Sequence, residues 1–175
     1  MVESAPGNFS SIMRKNGKML LAAFITGCFG MASGIFFLLY CLEAPIYSSV
    51  LQKREFSVNS DVQMRRILLV LQQFLKYRVP IVMVTLITCG ILGSIFRVLL
   101  YGFAPLPILV ILSSVLIFAT SANSVPAAIK VFKDVSPEAS SDEIQAALTP
   151  IVELHRNAGI FVALVIALQL ASTVF

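Results

Sequence analysis

The chain has 175 residues, 58% of them hydrophobic, with 13 Lys and Arg against 9 Asp and Glu and a formal net charge of +4. This composition excludes an ordinary soluble domain and suits one membrane domain of about four crossings with little else. Three cysteines (Cys28, Cys41 and Cys89), all in or beside apolar runs, and a single histidine exclude two-histidine haem ligation within the chain and offer neither a disulfide framework nor a metal-ligand spacing. No cofactor and no metal are therefore expected.

Four uncharged stretches follow one another: Met19–Leu42, Val79–Phe96, Val98–Ile129 and Asn157–Phe175. Each approaches or exceeds the roughly 20 apolar residues that cross a bilayer as a helix. Residues 1–18 read as a polar N-terminal segment carrying Arg14, Lys15 and Lys18. The apolar run beginning at Met19 is too long for the core of a cleaved signal peptide, so it reads as a retained span over about 19–42. Gly27, Gly30 and Gly34 lie in it, and Gly30 and Gly34 form a small-xxx-small pair that lets helix backbones approach, predicting internal helix packing.

Pro45 ends or kinks this span. Ser60-Asp61-Val62-Gln63 has the form of a capping box and predicts a helix over about 61–78. At 100° per residue, Met64, Ile67, Leu68, Leu71, Phe74 and Leu75 share one face, and Arg65, Arg66, Gln72, Gln73 and Lys76 the other. This helix is expected to run into the second span, 79–101, with a kink near Pro80. That span carries Gly90 and Gly93 as further close-packing positions.

Ala104-Pro105-Leu106-Pro107 signals a tight turn into a third span over about 106–122, whose end is marked by Asn123 and Pro126, with continuation of the helix to Lys133 as the alternative. A second capping box, Ser140-Ser141-Asp142-Glu143, opens a helix over about 141–156, which meets Pro150 and becomes the fourth span, 157–175. The expected fold is all-α: a four-transmembrane-helix antiparallel bundle over 19–175 with helical extensions on one membrane face.

Alternation of four spans gathers most of the polar groups at that face: Glu43, Tyr47, Lys76, Arg78, Asn123, Glu153, His155, Arg156 and Asn157. Arg14, Lys15, Lys18 and Arg97 fall on the other side and the remaining nine basic residues on this one, so the positive-inside rule places the two long connections in the cytoplasm or a matrix-like compartment. Arg78 projects about 20° from Ile67, onto the apolar face of its helix. His155 aligns with Gly159, Val162, Ile166, Gln169 and Thr173, a stripe that reads as inward-facing. Glu43, Arg78, Asn123, His155 and Arg156 are the candidate ligand- or lipid-binding residues, and His155 the candidate acid or base. The competing explanation is lipid anchoring, with Glu43 paired to Lys76 or Arg78. Uncharged span centres argue against a proton relay, a voltage sensor or an ion-coupled carrier. The basic residues lack the aromatic interleaving that suits nucleic acid; anionic lipid is the expected partner.

At these landmarks the chain resembles the anthrone oxygenase-like family of four-span membrane proteins. The likeness rests on Leu42-Glu43-Ala44-Pro45 closing span one, Arg78-Val79-Pro80 opening span two, Thr120-Ser121-Ala122-Asn123 closing span three and Leu154-His155-Arg156 entering span four. It covers roughly residues 24–172. The resemblance implies an enzyme acting without an obvious cofactor on a hydrophobic aromatic or quinone-like substrate. His155 would be the acid or base, with Arg78, Arg156 and Asn123 polarising oxygens. The residues themselves favour a non-catalytic accessory subunit of a larger membrane complex, of respiratory type in a mitochondrial inner membrane, packed among other integral subunits. A lipid-binding or transport-like role is the third expectation.

Overall fold

The structure, a computed structural model, describes residues 7–47, 50, 58–76 and 78–174, with the side chains of 7–11, 58–60, 120–124, 127 and 174 left aside. Its regular elements are all helical: α1 (Gly7–Glu43), a short 3-10 turn (Ala44–Ile46), α2 (Val58–Lys76), α3 (Val79–Tyr101), α4 (Pro105–Asp134) and α5 (Ser141–Val174). Three segments, Ile12–Ile46, Val79–Tyr101 and Ser141–Thr173, are long and apolar enough to cross a membrane. The chain is an all-α integral membrane protein.

α1 organises the rest. Ala22, Ile25, Phe29, Ala32, Phe36 and Leu39 are all buried, and they recur at alternating spacings of three and four residues, the spacing of a helix seam. The neighbours of this seam run antiparallel to α1. Phe29 lies against Gly90 and Ile25 against Gly93 of α3, while Gln169 of α5 donates to the Ala22 carbonyl (3.4 Å) and Gly159 sits beside Phe36. A Cβ at Gly90 would stand 2.8 Å from the Phe29 ring, and one at Gly93 2.9 Å from Ile25. Only a residue without a side chain admits these approaches, and in lipid such packing replaces water-driven association as the source of stability. Val110 and Ile117 of α4 and Val165 of α5 complete this cluster.

Outside the spans, α2 buries Met64, Ile67, Leu68 and Leu71 in a cluster that includes Ile144, Leu148 and Ile151 of α5. Each such side chain removed from water contributes on the order of 1.5–3 kcal/mol. Polar straps fix the same contact. Arg65 binds Asp61 (2.9 Å) and donates to the carbonyls of Pro137 and Ala139, and Ser141 donates to Asp61 (2.6 Å). Gln72 donates to the carbonyls of Phe132 (3.1 Å) and Val135 (3.0 Å). These two bonds close the C-terminal end of α4, whose last carbonyls have no partner within the helix.

The capping box at Ser140 forms in both directions. The Ser140 backbone N–H donates to Glu143 (3.0 Å) and the Glu143 N–H to the Ser140 hydroxyl (3.4 Å). Other expectations need correction. α1 begins by Gly7, so Arg14, Lys15 and Lys18 lie on a helix rather than in a separate polar segment. α2 begins at Val58, which places Ser60 inside its first turn instead of at its cap. α2 does not flow into α3 through a kink. The chain breaks at Arg78, whose φ of 63° is left-handed, and Pro80 lies in the first turn of α3, where its missing N–H costs nothing. Of the two ends the sequence allows for the third helix, the longer one forms: it passes through Pro126 to Asp134. Gly27, Gly30 and Gly34 are not internal packing positions: a Cβ on any of them meets nothing within 4 Å, because they fall off the buried seam of α1.

Candidate functional site

The buried seam of α1 ends in a carboxylate. Glu43 follows Leu39 by four residues, in register with the apolar positions before it, and is 0% exposed. His155 on α5 approaches from the antiparallel direction, and its Nδ1 shares a 2.5 Å hydrogen bond with Glu43 Oε1. The other carboxylate oxygen, Oε2, is buried without a partner among the described residues, as is the hydroxyl of Tyr47. Tyr47 follows the 3-10 turn that contains Pro45, and its ring leans on that of Tyr40 at 5.3 Å between centroids. The proline turn thus brings Tyr47 to the carboxylate end of α1.

His155 is the polar member of an otherwise apolar wall. It borders a cavity of about 290 Å³ lined by all five helices, with Phe36 and Leu39 of α1, Leu71 of α2, Met83 of α3, Phe132 of α4 and Val162 of α5 among its lining. The Phe36 ring lies 6.4 Å from the imidazole, tilted by 58°. The imidazole, 17% exposed as a side chain, stands between a sealed carboxylate on one side and the cavity on the other. Such an arrangement fixes the ring's orientation through one nitrogen and leaves the second for a ligand, as a carboxylate does for a working histidine.

The other candidates do not converge here. Arg78 is exposed at the α2–α3 break, so it neither joins an apolar helix face nor pairs with Glu43. Lys76 is exposed as well, and the partner of Glu43 is His155. Arg156 is exposed and donates to its neighbour Asn157 (3.3 Å). The side chain of Asn123 lies outside the described residues. Of the stripe through His155, Val162 and Gln169 are buried, His155, Gly159 and Ile166 are half-buried, and Thr173 is exposed.

A second polar cluster escaped the sequence reading. Arg97, 4% exposed inside the bundle, donates to Gln169 Oε1 (3.3 Å), Ser172 Oγ (2.7 Å) and the Ser172 carbonyl (2.6 Å). A guanidinium beside the last turn of α5 meets the negative end of that helix. The signal was present: Gly90, Gly93, Ser94 and Arg97 share one side of α3, and the first three are small, buried residues.

The chain matches no family model, no curated protein and no solved structure.

Proposed function

We propose that this is a four-helix antiparallel membrane bundle, with α4 as the fourth crossing, that holds a hydrophobic small molecule in the cavity beside His155. The carrying observation is the cavity itself: an apolar chamber of about 290 Å³ whose wall includes a histidine aimed by a buried carboxylate. That size lies near the lower end of the roughly 300–1,000 Å³ range of small-molecule sites, and apolar walls with few polar groups are their usual lining. The test is to reconstitute the protein in lipid nanodiscs and measure binding of a lipophilic aromatic probe. Ala158→Phe, at a buried position on the wall, should abolish binding and leave the helical spectrum unchanged. Equal occupancy in the filled variant would sink the proposal.

The anthrone oxygenase-like reading uses the same chamber, with His155 as acid or base. What supports it is the Glu43 contact, which orients the imidazole for proton transfer. The accessory-subunit reading draws on a different surface, the open side of α1 at Gly27, Gly30 and Gly34. Anionic lipid as a partner is supported by exposed Arg14, Lys15 and Lys18 along one end of α1.

A further inference from the structure

We infer that the cavity selects a neutral, lipid-dissolved molecule through a single carbonyl-type acceptor oxygen, which takes a hydrogen bond from His155 Nε2. This rests on the hydrophobic-ligand reading above and adds the chemistry of its one polar contact.

The inference follows from charge conservation in a dry site. Glu43 is fully buried and its Oε2 has no partner among the described residues. A bare carboxylate held there would carry a large desolvation cost. Among the described residues the basic group bonded to it is His155; Arg156 is turned to Asn157, and Tyr47 is a neutral phenol beside the pair. The dyad is electroneutral in two arrangements. In the first, a protonated imidazole faces an ionised carboxylate. In the second, the carboxylic acid donates to Nδ1 of a neutral imidazole. Both put a hydrogen on Nε2, because Nδ1 is committed to Glu43. A third arrangement, with Nδ1–H facing the carboxylate and a bare Nε2, leaves the dyad itself with a net negative charge and is the one that burial of Glu43 disfavours.

Nε2 has no hydrogen-bond partner among the described residues, so this donor is free to meet a ligand. A donor facing apolar walls recognises an acceptor oxygen, and a neutral ligand avoids bringing a second charge into the chamber. The walls also show the way in. The lining residues that remain exposed belong to α2, α3 and α4: Phe74, Val84, Phe118 and Pro126. Those contributed by α1 and α5 are buried or half-buried. The mouth therefore opens sideways between α3 and α4, toward the bilayer, where such a molecule is dissolved.

The test compares two probes of nearly the same shape in nanodiscs, 2-decyl-1,4-naphthoquinone and 2-decylnaphthalene. The quinone should bind at least tenfold more tightly, and its bound carbonyl stretch should move to lower wavenumber. His155→Leu should retain the hydrocarbon and bring the affinity ratio close to one. The infrared shift is read on the unmodified protein, so it stands even if the variant does not fold. Equal binding of both probes with an unshifted carbonyl would overturn the acceptor inference and leave the hydrophobic-ligand reading intact. Binding of neither probe, with a lipid acyl chain retained in the chamber, would overturn both.

Discussion

Two of the places where the bundle buries polar groups are treated in opposite ways. At one end, Arg97 places three hydrogen bonds on Gln169 and Ser172, and the cluster is closed. At the other, Glu43 spends one oxygen on His155 while its second oxygen and the Tyr47 hydroxyl have no partner among the described residues, and a cavity lies alongside. A satisfied buried network fixes a structure. An unsatisfied one beside open volume costs stability that packing elsewhere must offset, which is the pattern of a site rather than of a strut.

The sharpest way to break this contrast is to remove the strut. Arg97→Ala should destabilise the protein by about 2–4 kcal/mol, from three lost bonds and the void left behind. Thermal unfolding in detergent reads this directly, and an unchanged melting temperature would mean the cluster is ornamental. Next in size, Gly90→Leu should cost about 1–3 kcal/mol by forcing Phe29 out of its place. The matched substitution Gly30→Leu should be nearly neutral for the isolated chain, since nothing lies within 4 Å. If it instead strips a partner from the native mass spectrum, the open side of α1 is a contact surface.

The third test addresses the site. Replacing the dyad together, Glu43→Leu with His155→Leu, should leave stability within about 1 kcal/mol of the parent or raise it, because apolar groups replace a half-satisfied pair. Discrimination between carbonyl and hydrocarbon probes should vanish in the same protein. A loss of several kcal/mol would show that the dyad is structural, as the Arg97 cluster is.

The smallest effect concerns the straps outside the spans. Hydrogen bonds from Arg65, and then from Ser141, hold the Asp61 carboxyl below the usual carboxylate range. A depressed folded value gives a contribution present above the unfolded value and lost as pH falls through the folded one. Amide exchange in α2 should therefore quicken on acidification below about pH 4. Asp61→Asn should remove that dependence.

The amphipathic face of α2, the Ser140 cap and the long apolar helices were legible because each is a local pattern, set by spacing or by a side chain reaching its own backbone. The glycines of α1 were misread for a physical reason. A small residue permits close approach but does not require it, and burial follows the seam through Ile25, Phe29, Ala32 and Phe36 instead. The pairing of Glu43 with His155 spans 112 positions and no local rule reaches that far. Yet half of it was written in α1, since continuing the seam from Leu39 by four residues lands on Glu43. Arg97 was passed over as a residue near a span end, where long cations ordinarily reach for headgroups.

The straps on α2 also set an order of assembly. Arg65, Gln72 and Asp61 find partners 60 to 80 positions further along the chain. Those partners lie between the end of α4 and the first residue of α5, so α2 cannot be tied down until the chain has been made as far as Ser141. The wall that α2 gives to the cavity is therefore fixed only after α1, α3 and α4 have all been made. A nascent chain stalled before residue 135 would hold three of the hydrophobic helices and an open chamber, exposed to whatever membrane chaperone or lipid reaches it first.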